Sequence, residues 1–169
     1  MIRFTVILWM ILLGFCAPVL GQSSTDEEGI TKLLAKLFRG MELGDSAMVS
    51  STFTKSATMV TVSKVLPENG ESVVRQNPNA LKDFLNAVGT PHDEIWYEEI
   101  WDIKIQKDGD FVQVWCDYAF YRGKKNFSHC GADAFHAYKG SDGWKFFHLA
   151  YSISKNGCNI PEAIKVKHQ

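Results

Sequence analysis

The spacing of apolar residues divides this chain into a helical first half and a strand-rich second half. Apolar side chains three and four positions apart predict one amphipathic helix near the start of the fold. Its stripe consists of Ile30, Leu33, Leu34, Leu37 and Met41. Thr25 or Asp26 can cap the start of this helix, and Gly44 ends it. A short second helix restarts at Asp45 or Ser46.

Two further segments complete the first half of the chain. Residues 56–66 (SATMVTVSKVL) are rich in β-branched residues and predict a strand. Residues 67–72 (PENGES) predict a turn. Asn79 then caps a third helix, which ends at Gly89.

The second half predicts a meander of long antiparallel strands. Residues 95–106 form the first of them, with Trp101, Ile103 and Ile105 on one face. Tight turns connect the strands, at residues 108–110, 122–126 and 141–143. The element order α-α-β-α-β-β-β-β predicts an α+β fold, in which N-terminal helices pack on one face of a strongly bent antiparallel sheet.

The strand predicted over residues 111–121 is apolar on both faces. Val112, Val114 and Phe120 lie on one face, and Phe111 and Trp115 lie on the other. One face can meet the helices, but the other needs a second cover. Another copy of the same sheet would supply it, so we expect a homodimer through the outer sheet face.

The composition fits one globular domain. Of the 169 residues, 46% are hydrophobic and 22% are charged, and the net charge is −1. No Lys/Arg cluster stands out along the sequence, which argues against a nucleic-acid-binding function.

The N-terminus has the pattern of a cleaved signal peptide. Residues 1–21 contain an early arginine, an apolar run short for a membrane span, and then small and polar residues. Cleavage would make Gln22 the first residue of a secreted or periplasmic domain over residues 22–158, with a C-terminal tail at 159–169 and no stable membrane insertion. An uncleaved anchor is one alternative. A lipoprotein anchored at Cys16 is another, disfavoured by the bulky residue before it.

Cysteine usage limits the covalent chemistry. Cleavage of the signal would leave Cys116, Cys130 and Cys158. An odd number in an oxidising compartment predicts at most one internal disulfide and a spare thiol. The sequence has no Cys-x-x-Cys pair, no zinc-type Cys/His spacing and no glycine-rich phosphate loop, so neither a metal nor a cofactor is predicted.

One pair of ionisable residues is the strongest candidate for chemistry. If Arg122-Gly123-Lys124 forms the hairpin loop, Asp117 stands directly opposite His129 on the neighbouring strand. A carboxylate there would orient the imidazole and raise its basicity, as general acid–base catalysis requires. A buried His–Asp hydrogen bond that only braces the sheet is the alternative.

The same register brings Cys116 opposite Cys130, where a disulfide could form; two buried thiols are the alternative. Asp133 shares the face of His129 but lies roughly 13 Å further along the strand, so it would act from the far side of a ligand. His148 on the last strand is a candidate catalytic residue or a packed histidine. The candidate ligand-binding residues are Trp101, Trp115, Tyr118, Phe135 and Tyr151.

Two stretches of sequence, together with the element order, resemble the nuclear transport factor 2-like (NTF2-like) superfamily in its SnoaL-like and ketosteroid-isomerase-like branches. The first is GDSAMVSSTFTKSATMVTV, which begins at Gly44-Asp45, and the second is the closing DGWKFFHLAYS. The strand SHCGADAF is similar to one in secreted members. The resemblance implies a cone-like fold with one conical pocket. It does not choose a function, because members include isomerases, dehydratases, cyclases, hydrolases and binding or assembly modules.

Three functions remain open. The first is an exported protein whose pocket binds a small organic molecule. The second is a cofactor-independent dehydratase, isomerase or hydrolase, in which His129 is the base, Asp117 orients it, and Asp133, His148 or a tyrosine polarises the substrate. The third is a homodimeric assembly module whose sheet surface carries the function.

Overall fold

The structure, a computed structural model, describes residues 21–63, 73–77 and 79–169. The signal peptide expected at residues 1–21 falls almost entirely outside these ranges, and so does the turn expected at 67–72. Among the described residues, no helix is both long and apolar enough to cross a membrane. The elements in chain order are α1 (Gly21–Leu43), α2 (Ser46–Ser50), β1 (Phe53–Ser63), β2 (Val73–Gln76), α3 (Ala80–Gly89), β3 (Trp96–Asp108), β4 (Phe111–Arg122), β5 (Asn126–Gly140), β6 (Gly143–Ile153) and α4 (Glu162–Lys167).

Helix α1 buries the predicted apolar stripe, and its five residues are all at most 7% exposed. Gly44 ends the helix with φ of 66°, a left-handed conformation that glycine adopts without strain. The Asp45 side chain then caps α2 by accepting a hydrogen bond from the Met48 N–H at 2.8 Å. The predicted start was wrong, because α1 already runs from Gly21. Asp26 instead pairs with two lysines from the sheet, one on β3 and one on β5.

The sheet has six strands in the order β2-β1-β6-β5-β4-β3. All neighbouring pairs are antiparallel except β1 and β6, which are parallel. The expectation of a wholly antiparallel sheet is corrected at this one pair. The segment between these two strands contains α3 and the long meander, and a connection of that length allows a parallel pairing. Strand β2 is only four residues long and was not predicted.

A break in the β3–β4 pairing changes which residues of β3 share a face. Trp101 pairs with Asp117 and Lys104 pairs with Trp115, so the register shifts between them. Asp102 has φ of 50° at this point. The bulge places Trp101 on the outer face, whereas Ile105 packs against the core on the inner face. The prediction that these two side chains share a face was therefore wrong.

The inner face of the sheet packs against α1 and α3 and forms the main core. At its centre Val112, Val114, Phe135 and Phe146 are fully buried against the stripe of α1. A smaller apolar cluster lies at one end of the outer face, where Ala119, Tyr121 and Cys130 pack with the segment after β6. The C-terminal tail, expected to be loose, contains α4 and ends with His168 buried.

Candidate functional site

A cavity of about 510 Å³ lies between the helices and the inner face of the sheet. Helices α1 and α3 supply one wall, and strands β1, β3, β4, β5 and β6 supply the other. Most of the lining is apolar and includes Phe38, Met41, Met59, Phe84, Trp96 and Phe120. Its ionisable or hydroxyl-bearing side chains include Asp83, Glu98, Tyr118, His129, Asp133 and Tyr151. The site is therefore an apolar chamber with a few polar groups on its walls.

Two acidic side chains meet in this wall. Glu98 on β3 and Asp133 on β5 lie within hydrogen-bonding reach of each other through their carboxyl groups. Two carboxyls can share a hydrogen bond only if one of them keeps its proton. The Cα partners of Asp133 are Cys116 on β4 and Tyr151 on β6, so the acid stands in the middle of the sheet.

Burial dominates the electrostatics of the pair. Asp133 is 3% exposed, and desolvation raises its pKa from 3.8 to about 7, although the hydrogen bond with Glu98 acts in the opposite direction. Burial, and then the Asp133 charge, raise the pKa of Glu98 well above its ordinary value. The Oδ2 atom of Asp133 accepts no hydrogen bond from an N–H or hydroxyl group in the part of the chain that the structure describes. Both shifts favour the protonated carboxyl, so the pair keeps a proton to higher pH than two separate solvated carboxyls would.

His129 borders the same cavity as a neutral imidazole. Burial, followed by the charges of Arg122 and Lys155, lowers its pKa to about 4. Its Nδ1 lies 3.0 Å from the Ser128 hydroxyl, and its ring packs 5.1 Å from the ring of Phe120. A neutral ring of this kind can donate or accept one hydrogen bond, but it is a weak base.

Tyr118 and Tyr151 add two hydroxyl-bearing rings to the wall. The Tyr118 hydroxyl donates to the Ser152 carbonyl oxygen at 2.8 Å, which ties β4 to β6. Burial, followed by the nearby acidic pair, raises the pKa of Tyr118. Because its proton is already engaged, this hydroxyl offers a ligand an acceptor rather than a donor. Together with Phe135, these are the predicted ligand-binding residues that line the cavity.

The predicted Asp117–His129 pair does not form. The hairpin loop is Gly123-Lys124-Lys125, and Ser128 is left unpaired by a shift in register next to it. Asp117 consequently stands opposite Ala132, and His129 stands opposite Phe120. A register change by an odd number of residues moves a side chain to the other face of a strand. Asp117 is therefore on the outer face, and the mechanism in which it orients His129 is ruled out.

Three other candidates also lie away from the cavity. His148 is on the outer face, where it stacks on His136 with ring centroids 5.5 Å apart and its Nδ1 lies 2.7 Å from the Thr58 hydroxyl. Trp101 packs into the small cluster under the C-terminal segment. Trp115 is 43% exposed on the open part of the outer face.

The disulfide joins different cysteines from those expected. Cys130 bonds to Cys158, with Cα atoms 6.2 Å apart, and Cys116 is a free buried thiol. The corrected register explains the difference, because it sets Cys116 opposite Asp133 on the inner face. Burial raises the pKa of the Cys116 thiol, so it remains protonated and unreactive.

Glu98 and Trp96 are the residues of the site that the sequence analysis missed. Both lie in the strand segment WYEEIW, where Trp96, Glu98 and Ile100 alternate on the inner face. An acid between two apolar residues of the same face was the available signal. Among the described residues, no group of three or more His, Cys, Asp or Glu side chains is arranged to hold a metal ion.

Comparison with known proteins identifies the fold. A scan against protein-family models and a search of curated proteins each gave no match. An NTF2-like protein with a cystatin-like fold from Novosphingobium aromaticivorans superposes with a TM-score of 0.61 at 12% identity, over 87% of this chain and 91% of that one. A proposed scytalone dehydratase from the same species gives 0.62 at 11% identity, over 82% and 91% of the two chains.

A third structure, a proposed dehydratase of the NTF2-like family from Streptomyces avermitilis, gives a TM-score of 0.60 at 18% identity, over 79% of this chain and 99% of that one. Identities this low establish the fold and leave the activity open. The cone of bent sheet and N-terminal helices agrees with the same conclusion. The chain therefore has the NTF2-like, cystatin-like fold that its sequence resembles.

Proposed function

We propose that this chain is a pocket protein that binds a small, largely apolar organic molecule. The observation that carries the proposal is the cavity of about 510 Å³ with the Glu98–Asp133 pair in its wall. Cavities of roughly 300–1,000 Å³ with apolar linings and a few polar groups are typical of small-molecule sites. The apolar wall would supply most of the affinity, and the acidic pair would fix the orientation of the ligand.

A binding screen on the purified protein tests this proposal. Native mass spectrometry against a mixed library of one- and two-ring compounds should find compounds that bind. NMR spectra should then show that these compounds shift the signals of Trp96 and His129. Ala87→Trp, on the cavity side of α3, should abolish binding by filling the chamber. Ala35→Trp, at an exposed position of α1 that does not line the cavity, is the matched control and should bind normally. Failure of every compound to bind, or equal binding by both variants, would contradict the proposal.

A second function is favoured by the acidic pair itself. Two neighbouring carboxyls whose pKa values are both raised can provide an acid and a base in one place, as proton transfer without a cofactor requires. In this scheme Asp133 takes a proton from the ligand, Glu98 returns one, and neutral His129 holds a polar group of the ligand. This replaces the scheme built on Asp117. The two proposed dehydratases with the same fold are consistent with such chemistry in this type of pocket.

Deuterium exchange separates binding from catalysis. If the pair transfers protons to and from carbon, a ligand from the screen should incorporate deuterium when incubated with the protein in D2O. Asp133→Asn should retain measurable binding but abolish the exchange. A bound ligand that never exchanges would leave the binding function and remove the catalytic one.

We also propose that the domain is exported and dimeric. The signal-like sequence of residues 1–21 supports export, and so does the Cys130–Cys158 disulfide, because such bonds persist in oxidising compartments. An intact mass that begins at Gln22 would test the cleavage, and a mature protein that retains residues 1–21 would contradict it.

The proposed dimer uses the open part of the outer sheet face. Phe111, Trp115 and Tyr138 are each 43–45% exposed there. Lys104, the Cα partner of Trp115, and Asp117, two residues along from it, flank that ring on the same face. A twofold axis near Trp115 would bring the lysine of one copy to the aspartate of the other, as a self-complementary interface requires.

A further inference from the structure

The cavity has an unbalanced charge. Its lining includes the three acidic residues Asp83, Glu98 and Asp133, and among the described residues that line it there is no Lys or Arg. His129 adds no positive charge near neutral pH, because burial lowers its pKa to about 4. Arg122 and Lys155, whose charges lower the pKa of His129, do not line the cavity. An anionic ligand would find no counter-charge here, whereas a cation would find one.

The acidic pair is also incompletely satisfied. Asp133 is only 3% exposed, yet its Oδ2 accepts no hydrogen bond from an N–H or hydroxyl group of the described chain. An unmatched buried carboxylate oxygen destabilises the fold unless a donor reaches it. The residue lines the cavity, so a donor carried by a ligand can reach it from that side. The unsatisfied oxygen of Asp133 thus adds a hydrogen-bonding requirement to the excess of acidic residues.

Aromatic rings line the same cavity as the acidic pair. Trp96 and Phe120 meet edge to face with ring centroids 5.6 Å apart, and Tyr118 lies on the same strand as Phe120. All three line the cavity. Faces of such rings attract organic cations, most strongly where water is excluded. The same rings supply the apolar surface that an organic skeleton needs.

We propose that the ligand of this pocket is a protonated organic amine, whose ammonium group donates to the Glu98–Asp133 carboxyls while its apolar body packs among Trp96, Tyr118 and Phe120. This inference rests on the proposed small-molecule function and names its ligand class. No covalent bond changes: the ammonium N–H groups replace the proton that the two carboxyls share, and that proton leaves to solvent. The complex then holds one ammonium against a carboxylate pair.

Matched triplets of probes test the charge preference directly. Each triplet carries an amine, an alcohol or a carboxylate on the same skeleton, as in 2-phenylethylamine, 2-phenylethanol and phenylacetate, with two-ring versions beside them. Calorimetry at pH 6.5 should show the amine binding at least tenfold more tightly than the alcohol, and no binding of the carboxylate. Asp133→Asn and Glu98→Gln should each remove the preference for the amine but retain alcohol binding. Asp93→Asn, at an exposed position in a loop, is the control and should behave as the wild type.

A second measurement uses only the wild-type protein, so it holds even if both variants fold poorly. Amine titrations in two buffers of different ionisation enthalpy should reveal proton release on binding, and the matched alcohol should release none. Tighter or equal binding of the alcohol or carboxylate would overturn the amine inference while leaving the pocket function intact. An amine preference that survives in both variants, or amine binding without proton release, would overturn it as well. Failure of all skeletons to bind would contradict the proposed function itself.

Discussion

Asp133 has the clearest thermodynamic consequence of any single residue. Its folded-state pKa is raised from 3.8 to about 7 by burial, so between these values the native state holds a proton that the unfolded chain has lost. The contribution of Asp133 to stability is therefore fully present below about pH 3.8 and is lost as the pH rises toward 7, by about 1.4 kcal/mol per pH unit for one such proton. Asp26 has the opposite effect on stability, because hydrogen bonds from Lys107 and Lys139 lower its pKa below 3.8. Its contribution is therefore lost as the pH falls below that value.

Asp133→Asn should therefore reduce the pH dependence of stability between about pH 4 and pH 7, leaving the part that comes from the raised pKa of Glu98. The amide keeps the shape of the side chain but carries no charge, so the variant should equal or exceed the wild type in stability at pH 8. Urea unfolding at a series of pH values measures this. Asp93→Asn serves as the control for an exposed acid and should keep the wild-type slope. An Asp133→Asn protein with the full wild-type slope would show that Asp133 titrates normally.

At the scale of secondary-structure elements, the sequence pattern correctly predicted those features that depend on residues close together in the chain. The stripe of α1, the glycine that ends it and the hairpin turns at Gly109 and Gly143 could all be predicted, because each depends on residues close in sequence. The short pieces β2 and α4 could not, because four and six residues carry too little periodicity. Their stability comes from packing rather than from propensity.

The register of β4 against β5 shows where sequence reasoning failed for the site. The turn near Gly123 was correctly located, but the loop position and the unpaired Ser128 together moved the partner of Asp117 by three residues, from His129 to Ala132. A pattern of residues does not encode a bulge of this kind. The odd shift exchanged faces, so His129 and Asp133 stayed with the cavity while Asp117 went outside.

The C-terminal segment depends on one covalent bond and one buried imidazole. Cys158 is joined to Cys130, 28 residues earlier, and beyond it His168 stacks on Tyr121 with ring centroids 3.9 Å apart. The His168 Nδ1 lies 2.7 Å from the Lys124 carbonyl oxygen. Its Nε2 lies 2.9 Å from Glu99, which also pairs with Lys167. These contacts hold α4 on the outer face, opposite the cavity.

The double variant Cys130→Ser/Cys158→Ser should lose about 2–4 kcal/mol of stability, since the unfolded chain is no longer restricted by the cross-link. Denaturant unfolding measures the loss, and hydrogen exchange should show residues 162–168 losing protection. Wild-type protein under reducing conditions is the control and should reproduce both changes. Ligand binding in the cavity should persist, because α4 packs on the other face. Unchanged stability and protection would refute this account of the tail.

At the scale of the whole molecule, the two faces of the sheet differ in what they contact. The inner face builds the core and the chamber, whereas the outer face is covered by α4 at one end and carries exposed aromatic side chains elsewhere. Exposed aromatic clusters of this type commonly mark interaction surfaces. The proposed dimer would cover them and leave the chamber of each copy to act alone.

Trp115→Glu should convert the proposed dimer into a monomer, because it places a charge at the centre of the apolar interface. Sedimentation equilibrium should give twice the chain mass for the wild type and the single chain mass for the variant. Leu43→Glu, which replaces another exposed apolar residue at the end of α1, should remain dimeric. A wild type that is monomeric at high protein concentration would rule the dimer out.

Both the orientation of a ligand and the catalytic alternative depend on one proton that Glu98 and Asp133 share. Titration of the side-chain carboxyl carbons of Glu98 and Asp133 by 13C NMR measures it directly. We expect a midpoint for Asp133 near 7 and one for Glu98 well above 4.5. Midpoints close to the ordinary values of 3.8 and 4.5 would mean two solvated, independent carboxylates and would contradict it.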